Sequence, residues 1–420
     1  MYSFLQGRLL AVRVCMLVAA GLLIGIGIAT IYAVGHPAEL SPGSQTEDLA
    51  SYWKKQVVFA VMGLAVFLVI NLISYRWWGT SSYWLLGIVI LLLALLLVSK
   101  FVVTLPFAKP KAGTYRWIWI DRTVGGQTLP SLQPSEFCKL AYIMAMAWYL
   151  RFRSNYSSFK ALVGPFALAL LPMLLILPEP DLGTVLLMMP ILFIMLFVAG
   201  ARARHLLLII LMAILVSPLL WHKMDSYQRK RISSVFLQSA WVREKAELHP
   251  ALGKFLVGTE FTTRKWRNDW GFQLIRSKYA VASGGTDSAT GYGFRKGPFI
   301  KYGFLPERHN DFIFAVIAHQ WGFWGCLGLL ALYVVIVNCG LEIAANNTDP
   351  FARLFAVGIV TMFVVEVLIN VGMTVGLMPI TGLTLPLVSY GGSSLLVSMA
   401  SIGLLNNIGR SRPFSVAPKK

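Results

Sequence analysis

"LPERHNDFIFAV", residues 305–316, gathers ionisable side chains against the edge of an apolar run. Glu307, Arg308, His309 and Asp311 stop at Phe312, and mostly apolar residues follow. That run is about two dozen residues long, enough to cross a hydrocarbon core roughly 30 Å thick. The stretch therefore reads as the entrance to a membrane-spanning helix. Asp311 then has two readings. It can cap the helix start, where a carboxylate also suits the helix dipole. It can instead sit at a water–lipid boundary to do chemistry, with Arg308 and His309 as neighbours able to set its pKa.

The rest of the chain agrees with a membrane setting. Its 420 residues are 57% hydrophobic and only 13% charged, and the mean hydropathy is +0.67. A soluble domain carries about 25% charged residues. An all-α polytopic membrane protein follows. Ten runs are long enough to span, near 14–34, 56–74, 82–103, 137–152, 158–177, 183–200, 203–221, 312–338, 353–378 and 386–407. The fourth is short and reads as tilted or partly re-entrant. The first has no small-residue cleavage site before Gly35, so it reads as a spanning helix and not a cleaved leader. Cys15, Cys138, Cys326 and Cys339 are scattered without metal spacing and read as structural thiols.

An even number of spans puts both termini on one side. The short loops on that side carry Arg76, Arg151, Arg153, Lys160, Arg202, Arg204 and Arg353, and the termini add Arg8, Arg13, Arg410, Arg412, Lys419 and Lys420. The opposite short loops, 178–182 and 379–385, have no Lys or Arg. The positive-inside rule then makes both termini cytoplasmic, with Lys54 and Lys55 a mild counter-vote. Two long segments face outward, 104–136 and 222–311. Much of the net charge of +19 lies in the second: residues 222–310 hold sixteen Lys/Arg against seven Asp/Glu. That bias suits a polyanionic ligand or a headgroup surface, and membrane lipids are expected neighbours. Nucleic acid is a poor fit between membrane spans.

Ionisable residues inside apolar runs are costly and informative. Glu366 and Asn370 share a helix face in the ninth run, and Glu136 and Lys139 open the fourth. Each pair suits a helix–helix contact or a polar cavity. "PEPDLGTVLL", 178–187, places Asp181 and Thr184 at a helix start, where a cap is the plain reading. "TGLTLPLVSYGGSSLL", 381–396, interrupts an apolar run with adjacent glycines and with Ser389, Ser393 and Ser394, which suits close packing or ligand contact. "WVREKAELHPALGKFL", within 237–270, reads as one amphipathic helix.

Several separated stretches, taken in order, resemble one family. "GTYRWI" (113–118) and "LQPSEFCK" (132–139) are similar to its G-x-x-R-W and Q-P-S-E-F-x-K. "PEPDLGT", "YQRKRI" (227–232) and "SKYAVASGG" (277–285) resemble its P-D-L-G-T/S, Y-Q-x-x-R-I and S-K-x-A-x-G-S-G-G. "FLPERHNDFIFAV" and "INVGMTVGLMPITGLTLPLVSYGGSS" resemble its F-L-P-E-x-H-T-D-F-I-F-A-V and closing signature. The chain is thereby identified as a member of the SEDS family (shape, elongation, division and sporulation), the RodA/FtsW peptidoglycan polymerases, with more likeness to the RodA branch.

The resemblance implies an inverting glycosyltransferase of the bacterial cytoplasmic membrane that polymerises lipid II, an undecaprenyl-diphosphate-linked disaccharide-pentapeptide, into β-1,4 glycan strands on the outer side. It carries the family's essential aspartate onto Asp311. A positioned carboxylate can act as general base, and the diphosphate leaves without an acid. Developing charge on the diphosphate calls for cations. Arg116, Lys139, Arg229, Arg231 and Lys278 are candidates. The wider substrate set adds Trp117, Glu136, Asp181, Glu307, His309, Ser389, Ser393 and Ser394. A divalent cation (Mg2+ or Mn2+) is a further expectation, with no organic cofactor. Expected partners are a class B penicillin-binding protein and other elongation or division machinery. Alternatives are a lipid II flippase or a non-catalytic scaffold for a transpeptidase. Departures are Asn310 for threonine, Glu366 for a common glutamine, His319 and Gln320 where Glu-Glu is frequent, and the long 237–270 segment, read as a docking surface or as filler.

Overall fold

The computed structural model describes residues 9–411, apart from 40–48, 104, 106, 109–113, 119–122, 125–126, 129–130, 153–157, 180 and 286–288. Arg8, Arg153, Arg412, Lys419 and Lys420, used above for topology, lie outside the described residues, as do Gly113 and Pro180 of two motifs and parts of 104–136.

The chain is a helical bundle. Its elements are α1 Leu10–Gly35, α2 Tyr52–Leu72, α3 Tyr75–Thr80, α4 Ser82–Phe101, the hairpin strands β1 Thr123–Val124 and β2 Gln127–Thr128, α5 Pro134–Leu150, α6 Val163–Ile176, α7 Leu182–Val198 and α8 Ala203–Lys223. Short helices follow: α9 Ser226–Phe236, α10 Ala240–Leu248, α11 Pro250–Val257, α12 Thr263–Asn268, α13 Phe272–Ser283 and α14 Pro298–Lys301. Three long helices close the chain: α15 Ile313–Ala345, α16 Pro350–Val375 and α17 Gly392–Arg410. The ten expected runs correspond to α1, α2, α4 to α8, and α15 to α17.

Burial sorts the bundle into a centre and a rim. α5, α16 and α17 are buried along most of their length and carry its polar side chains. That explains why α5 and α17 are the less apolar runs: they face protein and not lipid. On α8 only Leu206 is buried, and apolar side chains cover the helix all round. Such a helix is stable in hydrocarbon because its backbone bonds are internal.

The two ends of the bundle differ. At one end Arg13 donates to Asn406, Tyr75 to Asp349, and Arg410 to the Asn71 carbonyl. At the other end the described residues of 114–118, 177–181, 224–312 and 376–391 meet. These are the stretches expected to lie outward.

Two elements depart from the sequence reading. The single amphipathic helix expected over 241–256 is broken into α10 and α11 at His249. Pro250 opens α11 and restricts His249 to an extended backbone (φ −116°, ψ 92°). The eighth span runs on to Ala345 and is broken inside at Gly322 (φ 59°, ψ −151°). There the segment 289–293 docks against the open turn: Tyr292 N–H donates to the His319 carbonyl at 3.1 Å and Gly293 N–H to the Gln320 carbonyl at 2.7 Å. Gly291 (φ 70°) allows the approach, since a Cβ there would lie 2.6 Å from the Gly322 nitrogen. His319 and Gln320 brace residues on either side of that segment with their side chains. Ser283 Oγ lies 2.7 Å from His319 Nδ1, and Arg295 N–H donates to Gln320 Oε1 at 3.0 Å. The two departures from the family pattern thus serve to hold the outer loop.

Candidate active site

Asp311 does not cap α15. The N-cap position is Phe312, and no side chain bonds the helix start there. Asp311 instead stands at the end of a tight turn, 305–312, in which Glu307 takes a left-handed backbone (φ 49°). That conformation is unusual for a residue with a side chain and is held by its surroundings. Asn310 Nδ2 donates to Glu307 Oε2 at 3.0 Å. The turn is pinned from below by Asn370 of α16, whose Nδ2 donates to the Asp311 carbonyl at 3.0 Å and the Leu383 carbonyl at 2.7 Å. From the side, Ser389 Oγ donates to the Asn310 carbonyl at 2.7 Å and accepts from Leu385 N–H at 2.8 Å. Gln56 Nε2 donates to the Ser389 carbonyl, and Tyr390 N–H to the His309 carbonyl.

The carboxyl group is thereby half-buried beside Gly382. A Cβ on Gly382 would meet Asp311 Oδ2 at 3.5 Å and Arg231 Nη1 at 3.9 Å. Burial pushes the Asp311 carboxyl up to about 6, Glu307 and Asp181 push the same way, and Arg231 and Arg116 pull it back. The neighbours that tune it thus come mostly from other elements. Arg308 is turned away: its guanidinium lies under the loop against Gly303 and donates to the Phe299 carbonyl. His309 stacks on Tyr52 at 4.8 Å between centroids and packs against Tyr390.

Arg231 reaches the site from α9 and donates to the Thr381 carbonyl at 3.3 Å. Arg116 comes from the extended stretch carrying Trp117, which Ile118 pairs with Leu132. Its guanidinium donates to the Glu179 carbonyl. The Glu179 carboxyl is buried, and neither oxygen has a hydrogen-bond partner among the described residues. Burial and Asp181 push it up to about 9, so it is neutral at physiological pH. Sequence reading passed over Glu179; only burial beside Asp181 singles it out.

The other candidates fall into distinct places. Asp181 caps α7: its carboxylate accepts from Thr184 N–H and Oγ1, from Ser135 Oγ at 2.9 Å and from Gln133 Nε2. Lys139 bridges Glu136 at 2.7 Å and Glu366 at 2.6 Å, all three buried in the bundle. Ser393 accepts from Gln133 N–H, and Ser394 pairs with Thr384 at 2.7 Å. Arg229 Nη2 donates to the His222 carbonyl at 2.6 Å, closing the α8–α9 corner. Lys278 Nζ donates to Gln238 Oε1 at 2.9 Å in the outer loop. Around Asp311 the fold gathers Arg116, Arg231, Asp181 and Glu307. Among the described residues, no three His, Cys, Asp or Glu side chains converge as a metal site. A divalent cation would therefore have to share its ligands with a bound phosphate, as Mg2+ commonly does.

Comparison with known proteins places this geometry in context. The family model FtsW/RodA/SpoVE, described as "Cell cycle protein", matches residues 13–413. The peptidoglycan glycosyltransferase RodA of Treponema pallidum is 30% identical, over 92% of this chain and 94% of its own length. The stage V sporulation protein E of Bacillus subtilis is 32% identical, over 93% of this chain and 94% of its own. A solved chain from a peptidoglycan synthase complex that coordinates polymerization and crosslinking superposes with a TM-score of 0.70, at 28% identity, covering 94% of this chain and 96% of that one.

Proposed function

Because this chain belongs to the FtsW/RodA/SpoVE family of cell cycle proteins, we propose that it is a peptidoglycan glycosyltransferase that polymerises lipid II. Asp311 is the general base of an inverting transfer. It takes the proton from an acceptor sugar hydroxyl as that oxygen attacks the anomeric carbon, and the lipid diphosphate leaves. The observation that carries this reading is the carboxyl's setting: half-buried, pushed up to about 6, and flanked by Arg231 and Arg116. A base with a pKa near the working pH is the efficient one. The two guanidinium groups can stabilise charge growing on the diphosphate. The bundle lies in the bacterial cytoplasmic membrane with both termini inside and Asp311 outside. Supporting that orientation, Arg13, Arg76 and Arg410 lie at the end opposite the site. The role is cell-wall elongation, in company with a class B penicillin-binding protein.

The test uses purified protein, lipid II and a cognate transpeptidase. Wild type lengthens glycan strands and Asp311→Asn does not. Equal polymerisation by the variant overturns the assignment of Asp311. Lipid II transfer across vesicles without polymer would mark a flippase. Polymer that depends on the partner alone would mark a scaffold.

A further inference from the structure

The long segment 222–311 holds a cavity away from Asp311. It has a volume of about 520 Å³ and is formed by α12, α13 and residues of α10. Arg243, Arg267, Arg276 and Lys278 line it together with Trp266 and Tyr279, and no Asp or Glu does. Among the described residues, none of the four cations makes an ion pair within 4.0 Å. Two are held in place before any ligand arrives. Arg243 Nη1 donates to the Leu237 and Gln238 carbonyls at 2.7 and 2.8 Å, with its guanidinium 4.9 Å from the Trp266 ring centre. Arg276 lies between the Phe272 and Phe304 rings, 5.2 Å from each. Burial and the proximity of Arg267 hold the Arg243 pKa below its ordinary value, as expected where positive charge is left unbalanced. Fixed, unpaired guanidinium groups bind carboxylate or phosphate with little ordering cost.

The cavity is coupled to the Asp311 site by α9. Arg231 donates to the Thr381 carbonyl, and Gln238, just past the same helix, donates to the Gly376 carbonyl at 2.7 Å. Seven residues separate them, about 10 Å along a helix. Gln238 also forms part of the cavity wall. An extended five-residue peptide spans about 17 Å. The cavity wall at Gln238 thus begins within the length of a peptide that would branch from a sugar held at Asp311.

We propose that this cavity is a recognition subsite for the acidic peptide carried by the substrate, with Arg243, Arg267, Arg276 and Lys278 binding its carboxylates. The proposal rests on the glycosyltransferase reading for the source of the peptide, and its binding test does not. It also gives the 237–270 segment a task, since α10 and α12 supply Arg243, Trp266 and Arg267.

The full-length protein in nanodiscs is titrated with a synthetic acidic pentapeptide and with the same peptide fully amidated. The acidic peptide binds, more weakly as salt rises, and amidation weakens it about tenfold or more. Arg267→Gln, and Arg267→Gln with Arg276→Gln, weaken it by about tenfold or more. Arg264→Gln, an exposed charge on α12 outside the cavity, leaves it unchanged. The single Arg267 variant guards against misfolding, because its side chain is exposed. Equal binding of the amidated peptide, or no loss in the Arg267 variant, overturns the proposal. Displacement by phosphatidylglycerol vesicles but not by a second acidic peptide assigns the cavity to a phosphate headgroup and also overturns it. Asp311→Asn retains peptide binding, so a failure of the base assignment shows separately, as polymerisation that survives in that variant.

Discussion

Asn370 ties the backbone of Asp311 to that of Leu383: one amide group donates to both carbonyls, at 3.0 and 2.7 Å. The turn that carries the carboxylate and the segment that roofs it are thereby held in one register. Asn370→Ala orphans both carbonyls in a buried place. Each orphaned group costs about 1–3 kcal/mol. The expected result is a lower melting temperature in detergent and a loss of kcat larger than any change in KM.

The pH profile of polymerisation follows from the neighbours of Asp311. The base is active when ionised, so kcat/KM rises with pH through an inflection near 6. Glu307→Gln removes a negative neighbour and moves that inflection down. Arg231→Gln removes a positive neighbour and moves it up. The inflection, and not the amplitude, is the readout, because Arg231 is also proposed to stabilise the diphosphate.

Stability has the opposite dependence. The folded-state pKa of Asp311 is raised from 3.8 to about 6, so its ionised form counts against folding. That penalty is absent below the unfolded pKa, grows as pH rises between the two values, and is complete above the folded one. Asp311→Asn escapes it. The variant is expected to melt at or above the wild-type temperature, with the gap widening from about pH 4 to about pH 7. An inactive variant that melts lower at neutral pH would contradict this.

Gly382 borders the Asp311 carboxylate in a left-handed conformation (φ 78°). Gly382→Ala adds about 1 kcal/mol of backbone strain. It also places a methyl group 3.5 Å from Asp311 Oδ2, where the proposed acceptor sugar would approach. A loss of activity of at least about tenfold is expected, more than the strain alone explains, measured beside thermal stability.

The buried Lys139 triad separates two substitutions. Lys139→Met leaves Glu136 and Glu366 without their counter-charge and costs about 3–5 kcal/mol. Glu366→Gln keeps an acceptor for Lys139 Nζ and the ion pair with Glu136, so it is expected to be well tolerated. Heating both variants in detergent compares them directly.

Much of the molecule was legible in the chain. Apolar runs identify the ten long helices because the bilayer demands about twenty apolar residues per span. The turn before Phe312 stands out because charges are costly at a lipid boundary. Glu366 and Asn370 were expected on one helix face, and there they lie. Asp311 was legible as a candidate base, and a helix cap was a competing reading. The cap reading falls because a backbone turn starts the helix at Ile313, which composition does not encode.

Sequence alone determined the membrane class, the spans and the residue types that could do the chemistry, because those depend on local hydropathy and side-chain identity. Tertiary structure decided which of these act together. It brought Arg116 and Arg231 to Asp311 and sent the adjacent Arg308 away, broke α15 at Gly322 to seat residues 289–293, and gathered four cations in one cavity. These outcomes depend on contacts between residues far apart in the chain, where burial and through-space charge set the energies.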